Sequence, residues 1–136
     1  MKFLAKMSSH PQWGSLVLRL AVGSIFIFHG VQKWALWKAV PPQMPPNMGN
    51  LMKFLSIVEP LGGLALILGF LTPLAALGLA IIMVGAIYFK MNVFKVGFAS
   101  GNGTGWEFDL ILLAANIALM LSGAGKWSVD KKLIKH

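Results

Sequence analysis

The sequence predicts an all-α integral membrane protein, a four-helix bundle whose helices run up and down in antiparallel order. Three observations predict it. The 136 residues are 57% hydrophobic and 12% charged, with a mean hydropathy of +0.72, whereas a soluble domain carries about 25% charged residues. A core of this size cannot hide so much apolar surface from water, so lipid must be part of the solvent. The apolar residues also fall in four continuous runs, at 14–34, 50–70, 73–89 and 105–123. Each is about 17–21 residues, close to the ~20 a helix needs to cross the hydrocarbon core. None shows the period-two alternation of barrel strands, and nothing is left over for a second, water-soluble domain.

Residues 1–13 carry Lys2 and Lys6 without a small-residue cleavage site. They read as a short amphipathic lead-in and not as a removed signal peptide. The first run, "GSLVLRLAVGSIFIFHGVQKW", is interrupted by Arg19 and His29. At 100° per residue Arg19, Gly23, Phe26, His29, Gly30 and Lys33 fall within about 120° of one another, so one face holds all the charge. Polar side chains in a span face the bundle interior or a cavity. Residues 35–49 contain "AVPPQMPP", whose four prolines predict a non-helical, lid-like loop.

The second run holds "IVEPLGG", an acid and a proline inside an apolar segment. Glu59 lies about seven to nine residues from the loop side, or about 10–13 Å deep. Pro60 deprives the Ser56 carbonyl of its helical donor, and Gly62 and Gly63 thin the helix beside it. "LTP" at 71–73 is too short for anything but a tight turn, so the second and third runs form a hairpin. Tyr88 lies near the loop-side end of the third run, with Lys90 and Asn92 just beyond. "SGNGTG" at 100–105 matches a phosphate loop only in composition, since no strand precedes it. Glu107 and Asp109 open the fourth run, where carboxylates suit the helix dipole. They point about 160° apart, so one should face the bundle and the other the loops or a partner. Residues 124–136 form a basic, Trp-bearing interfacial tail.

On these depths His29, Lys33, Glu59, Tyr88 and Asp109 should converge in the half of the bundle nearest the long loops. Arg19 should lie near the opposite rim, within reach of the end of the second helix. Glu59 reads either as half of a buried ion pair with Arg19, His29 or Lys33, or as a proton-handling or ligand-binding group. His29 reads as a packing hydrogen bond, a proton relay or a quinone contact. Haem ligation would need a second histidine within the spans, and His10 and His136 lie outside them. The absence of cysteine excludes disulfides, thiolate metal sites and CxxC redox chemistry, and no metal-ligand cluster is predicted.

The net charge of +8 sits in the termini and connections, without interleaved aromatics, and suits membrane lipids with anionic headgroups rather than nucleic acid. Six lysines on the side of the termini against five on the other tip both termini toward the cytoplasm of a cell-membrane protein. Small-residue faces such as 78–85 would suit a homo-oligomer, although packing within one bundle explains them equally well.

The segments "LRLAVGSIFIFHGVQKW", "EPLGGLALILGFLTPLAALGLAIIMVGA" and "GTGWEFDLILLAANIALMLSGAGKWSVD" together resemble the DoxX family of small four-helix membrane proteins, over roughly Leu16 to Asp130. The resemblance rests on Arg19, Gly30 and Lys33 in the first run and on Glu59 with Gly62, Gly63 and Gly69 in the second. Glu107 followed by "GAGKWSVD" completes it. It implies a link to oxidoreductases, by kinship with the DoxD subunit of a thiosulfate:quinone oxidoreductase, and in other members to oxidative-stress complexes with soluble enzymes. Arg19, Lys33, Glu59 and Glu107 transfer as motif positions without assigned roles.

The combined reading is a quinone-associated subunit or accessory protein of a membrane oxidoreductase system, with no built-in cofactor and a bound quinone in a polar pocket. His29, Tyr88 or Arg19 would donate hydrogen bonds, Glu59 or Asp109 would carry protons, and Lys33 and Glu107 would contribute to binding. A soluble redox partner would supply the electrons. The alternatives are a small-molecule transporter and a scaffold that recruits a soluble redox enzyme. The cationic first run argues against drug cations as cargo.

Overall fold

The computed structural model describes residues 1–134. Lys135 and His136, the end of the expected basic tail, lie outside the described residues, whose regular elements are all helices, with no strand among them. A short helix α1 (Lys2–Met7) precedes α2 (Pro11–Gln32). Proline in the first turn of α2 loses no hydrogen bond, because those N–H groups have no intrahelical partner. Helix α2 tightens into a 3₁₀ turn at Lys33–Trp37.

Helix α3 (Pro46–Leu68) begins inside the segment expected to be loop. Pro45 is extended and Pro46 takes the first helical position, where its fixed φ already fits. Four prolines therefore do not exclude helix from the whole stretch; the last of them starts one. After α3 come α4 (Thr72–Tyr88), running on into a π-helical turn at Phe89–Val93, then α5 (Trp106–Ser122) and α6 (Val129–Ile134).

Three helices are long and apolar enough to cross a membrane: α2 with its 3₁₀ continuation, α3, and α4 with its π-helical turn. Their outward faces carry exposed large apolar side chains, among them Val17, Phe28, Leu61, Leu74 and Val84. In water such a surface would drive association; against acyl chains it is at home. Helix α2 packs most extensively on α3, and α4 on α5, with smaller α3–α4 and α2–α5 interfaces between the two pairs. Val22, Phe26, Leu66, Ala76, Leu79, Met83, Leu112 and Leu119 fill the space they share.

Glycine sets the α2–α3 distance. A Cβ on Gly23 would come 2.5 Å from the Gly63 carbonyl oxygen, and one on Gly63 equally close to that of Gly23. A Cβ on Gly30 would overlap the Pro60 ring. Backbone contact of this kind is how helices associate where lipid gives no hydrophobic drive.

The end away from the long loops is organised by Arg19, whose side chain is fully buried. Its Nε donates to the Leu66 carbonyl (2.9 Å), and Nη2 to those of Ile67 (3.2 Å) and Trp127 (3.0 Å). Nη1 donates to those of Ala124 and Lys126. Two of these carbonyls belong to the last turn of α3, the negative end of its dipole. Gly69 ends α3 at φ +66°, and the Phe70 N–H returns to the Ala65 carbonyl (2.9 Å), a Schellman-type close. Asp130 then accepts from the N–H groups of Leu71 (2.7 Å) and Thr72 (2.8 Å), capping α4 from a distant part of the chain.

Candidate functional site

The loop-side half of the molecule encloses a cavity of about 540 Å³, lined mainly by apolar side chains. Its floor includes Phe26, Met83 and Leu112, each buried. Its charged residues arrive in two pairs. Lys33, at the start of the 3₁₀ turn, places Nζ 2.6 Å from Glu59 Oε2 and 3.1 Å from the His29 carbonyl oxygen. Glu59 is 4% exposed. This pair joins α2 to α3.

The second pair joins the end of α4 to α5. The π-helical turn carries Lys90 to within 2.7 Å of Asp109 Oδ2. That approach lies off the hydrogen-bond direction, and Oδ2 has no aligned donor. The aligned protons of Lys90 go instead to Thr104 Oγ1 (3.1 Å) and the Thr104 and Gly105 carbonyls (both 3.3 Å). The contact is therefore electrostatic first. A single extra residue per turn, as in a π-turn, rotates the side chains that follow it and often marks a functional position.

His29 stands between the pairs. Its ring packs 5.7 Å from that of Phe108 and 5.9 Å from that of Phe28, and it lies within electrostatic reach of Lys33, Glu59, Asp109 and Lys90. The His29 ring lines the same cavity as both pairs.

The structure thus brings His29, Lys33, Glu59 and Asp109 to one cavity and leaves Arg19, Tyr88 and Glu107 outside it. Arg19 is at the other end of α2. Tyr88 is 60% exposed on the outer face of α4. Glu107 is exposed in the first turn of α5 and makes no ion pair among the described residues. Neither acid of that turn caps α5; the Gly97 and Phe98 carbonyls accept from the N–H groups of Trp106 and Glu107 instead.

Lys90 and Thr104 line the cavity without having been singled out in the sequence. The available signal was scarcity: with only four acids in the chain, an acid in a span requires a cation at its own depth, and Lys90 directly follows the third run at the same loop-side level as Asp109. The carbonyl that Pro60 frees also finds a partner. Trp34 Nε1 donates to the Ser56 carbonyl oxygen at 2.8 Å, and Trp37 Nε1 to Ser56 Oγ at 2.9 Å.

Long apolar helices, glycine-mediated packing and a cavity holding paired charges define a small helical membrane protein. The chain belongs to the DoxX family, whose sequence profile matches residues 14–92. It is 32% identical to an uncharacterized membrane protein of Mycobacterium tuberculosis, over 95% of this chain and 93% of the relative. It is 29% identical to a Bacillus subtilis protein named "Putative oxidoreductase CatD", over 95% of this chain and 93% of that one. An uncharacterized protein of Haemophilus influenzae is 29% identical over 87% and 89% of the two chains. No solved structure matches the chain.

Proposed function

We propose that this protein is a quinone-associated accessory subunit of a membrane oxidoreductase system, set in the cell membrane with both termini in the cytoplasm. The cavity carries the reading. Its ~540 Å³ falls within the usual range for small-molecule sites. A quinone needs an apolar slot for ring and tail, a donor for each carbonyl, and a group that exchanges protons. His29, Lys33 and Lys90 are the donors, and Glu59 and Asp109 the proton-exchanging carboxylates.

The two lysines and two acids sum to zero charge, so the site suits a neutral ligand better than an ion, which ranks this reading above transport of a charged cargo. The name of the Bacillus subtilis relative agrees with redox chemistry. A soluble redox partner supplies the electrons, and the outward face at Gly78, where a Cβ would meet nothing, is open to a second copy of the chain.

In this reading α5 is the fourth span of an antiparallel bundle. Supporting it, Arg19 meets Leu66, Gly23 meets Gly63, Gly30 meets Pro60 and Lys33 meets Glu59, a sequence of contacts that runs forward along α2 and backward along α3. The 17 residues of α5 rise about 25 Å, a shortfall that slight thinning of the bilayer accommodates.

The test is mass spectrometry of lipid extracted from protein purified gently from native membranes, repeated with Glu59→Gln. The reading expects about one quinone per chain in the wild type and its loss in the variant. Wild-type protein carrying only bulk phospholipid would sink it.

A further inference from the structure

The wall of the cavity is uneven. None of its lining residues on α2 or α5 is exposed. On the other side Phe54 of α3, Ile81 of α4 and Phe94 beyond α4 line the cavity while being 59%, 63% and 56% exposed. A side chain can do both only at a mouth. Thr104 is exposed at the loop-side rim as well, but the hydrogen bonds from Lys90 to Thr104 and Gly105 span that rim.

The helices explain where the mouth is. Helices α3 and α4 touch where Leu79 packs over Gly62, so closely that a Cβ on Gly62 would come 2.9 Å from Leu79 Cδ2. Six residues further along α4, a rise of about 9 Å, Gly85 lines the cavity, and a Cβ there would meet nothing within 4 Å. The two helices therefore part from the Gly62–Leu79 contact toward the loops, and the missing side chain at 85 leaves the cleft open. The residues around the cleft are apolar and belong to the lipid-facing surface.

We propose that the cavity is loaded sideways from the bilayer, through the cleft between α3 and α4 in the loop-side half, and that Gly85 keeps this portal open. The ligand it admits is a neutral molecule dissolved in the membrane, which slides in with its polar end leading toward the Lys33–Glu59 and Lys90–Asp109 pairs. The inference rests on reading the cavity as a ligand site, but it does not depend on the ligand being a quinone.

Full-length protein in liposomes, photolysed with a small lipophilic diazirine and mapped by mass spectrometry, tests it. Lipid-dissolved carbene should label the buried lining residues Phe26, Met83 and Leu112 in the wild type. Labelling there should be lost in Gly85→Phe and retained in Val84→Phe, which places the same ring on the outer face. Phe54→Ala should raise it by widening the mouth. Outward Leu64 serves as the reference for correct insertion in every variant. The portal is overturned if the lining residues stay unlabelled in the wild type, or if neither Gly85→Phe nor Phe54→Ala changes their labelling. Failure to find a quinone in membrane extracts would instead remove the quinone reading and leave the portal standing.

Discussion

The Ser56 carbonyl is the smallest unit on which the site depends. Pro60 takes away its helical donor, and in a low-dielectric interior an unpaired carbonyl costs about 1–3 kcal/mol. Trp34 repays that from the 3₁₀ turn, and in doing so fixes the turn whose first residue, Lys33, reaches Glu59. Trp34→Phe should therefore destabilise the protein by about 1–3 kcal/mol. In a Pro60→Ala background, where residue 60 can donate to Ser56 again, the same substitution should cost little. Thermal unfolding of the four proteins of this cycle measures the difference, and additive effects would refute the link. The freed carbonyl could be read from the sequence; its donor could not, because a 3₁₀ turn after an apolar run leaves no pattern. Tyr88 and Lys90 teach the complementary lesson. They are two residues apart, about 200° around a helix, so a shared depth does not give a shared face: one points outward and the other at Asp109. Arg19 and His29 share a face but lie ten residues, about 15 Å, apart along the axis.

Helices here are placed by what they lack. Gly23, Gly30 and Gly63 let α2 and α3 approach to backbone contact, whereas Gly78 and Gly85 face open space. Gly23→Ala or Gly30→Ala should thus destabilise by about 1–3 kcal/mol through overpacking. Gly85→Ala should be neutral or stabilising by up to about 1 kcal/mol, the helix-propensity gain. Unfolding midpoints in detergent decide between these signs, and equal destabilisation at all three positions would contradict the packing. Helix α4 depends on a different kind of contact, the distant cap from Asp130; Asp130→Ala should cost about 0.5–2 kcal/mol and lower hydrogen-exchange protection in the first turn of α4 before any other. Helix existence and approximate length were legible, since about 20 apolar residues in a row have few other uses. The start of α3 was not, because Pro46 serves as a first residue as readily as it serves a loop, and nothing local distinguishes the two.

As a whole the molecule has two unlike ends: a loop end with the cavity and its paired charges, and a terminal end gathered around Arg19. A chain without cysteine makes their sidedness directly testable. Ser9→Cys should be protected from an impermeant maleimide in intact cells, Asn102→Cys should react, and Lys132→Cys should behave like Ser9→Cys if α5 crosses the bilayer. Protection of Ser9→Cys with reaction of Lys132→Cys alongside Asn102→Cys would overturn the four-span arrangement. The division into two ends was legible in outline, because depth follows from counting residues. What fills the terminal end was not: five carbonyls converging on one guanidinium come from the close of α3 and from a loop more than a hundred residues away. That convergence has a consequence for synthesis. Arg19 is made with the first span, but three of its five acceptors, at Ala124, Lys126 and Trp127, are made more than a hundred residues later. Until then the guanidinium has only the Leu66 and Ile67 carbonyls of its five acceptors. A chain stopped short of residue 124 lacks three of the five acceptors that satisfy Arg19, so the seating of its first span depends on a segment made long after it.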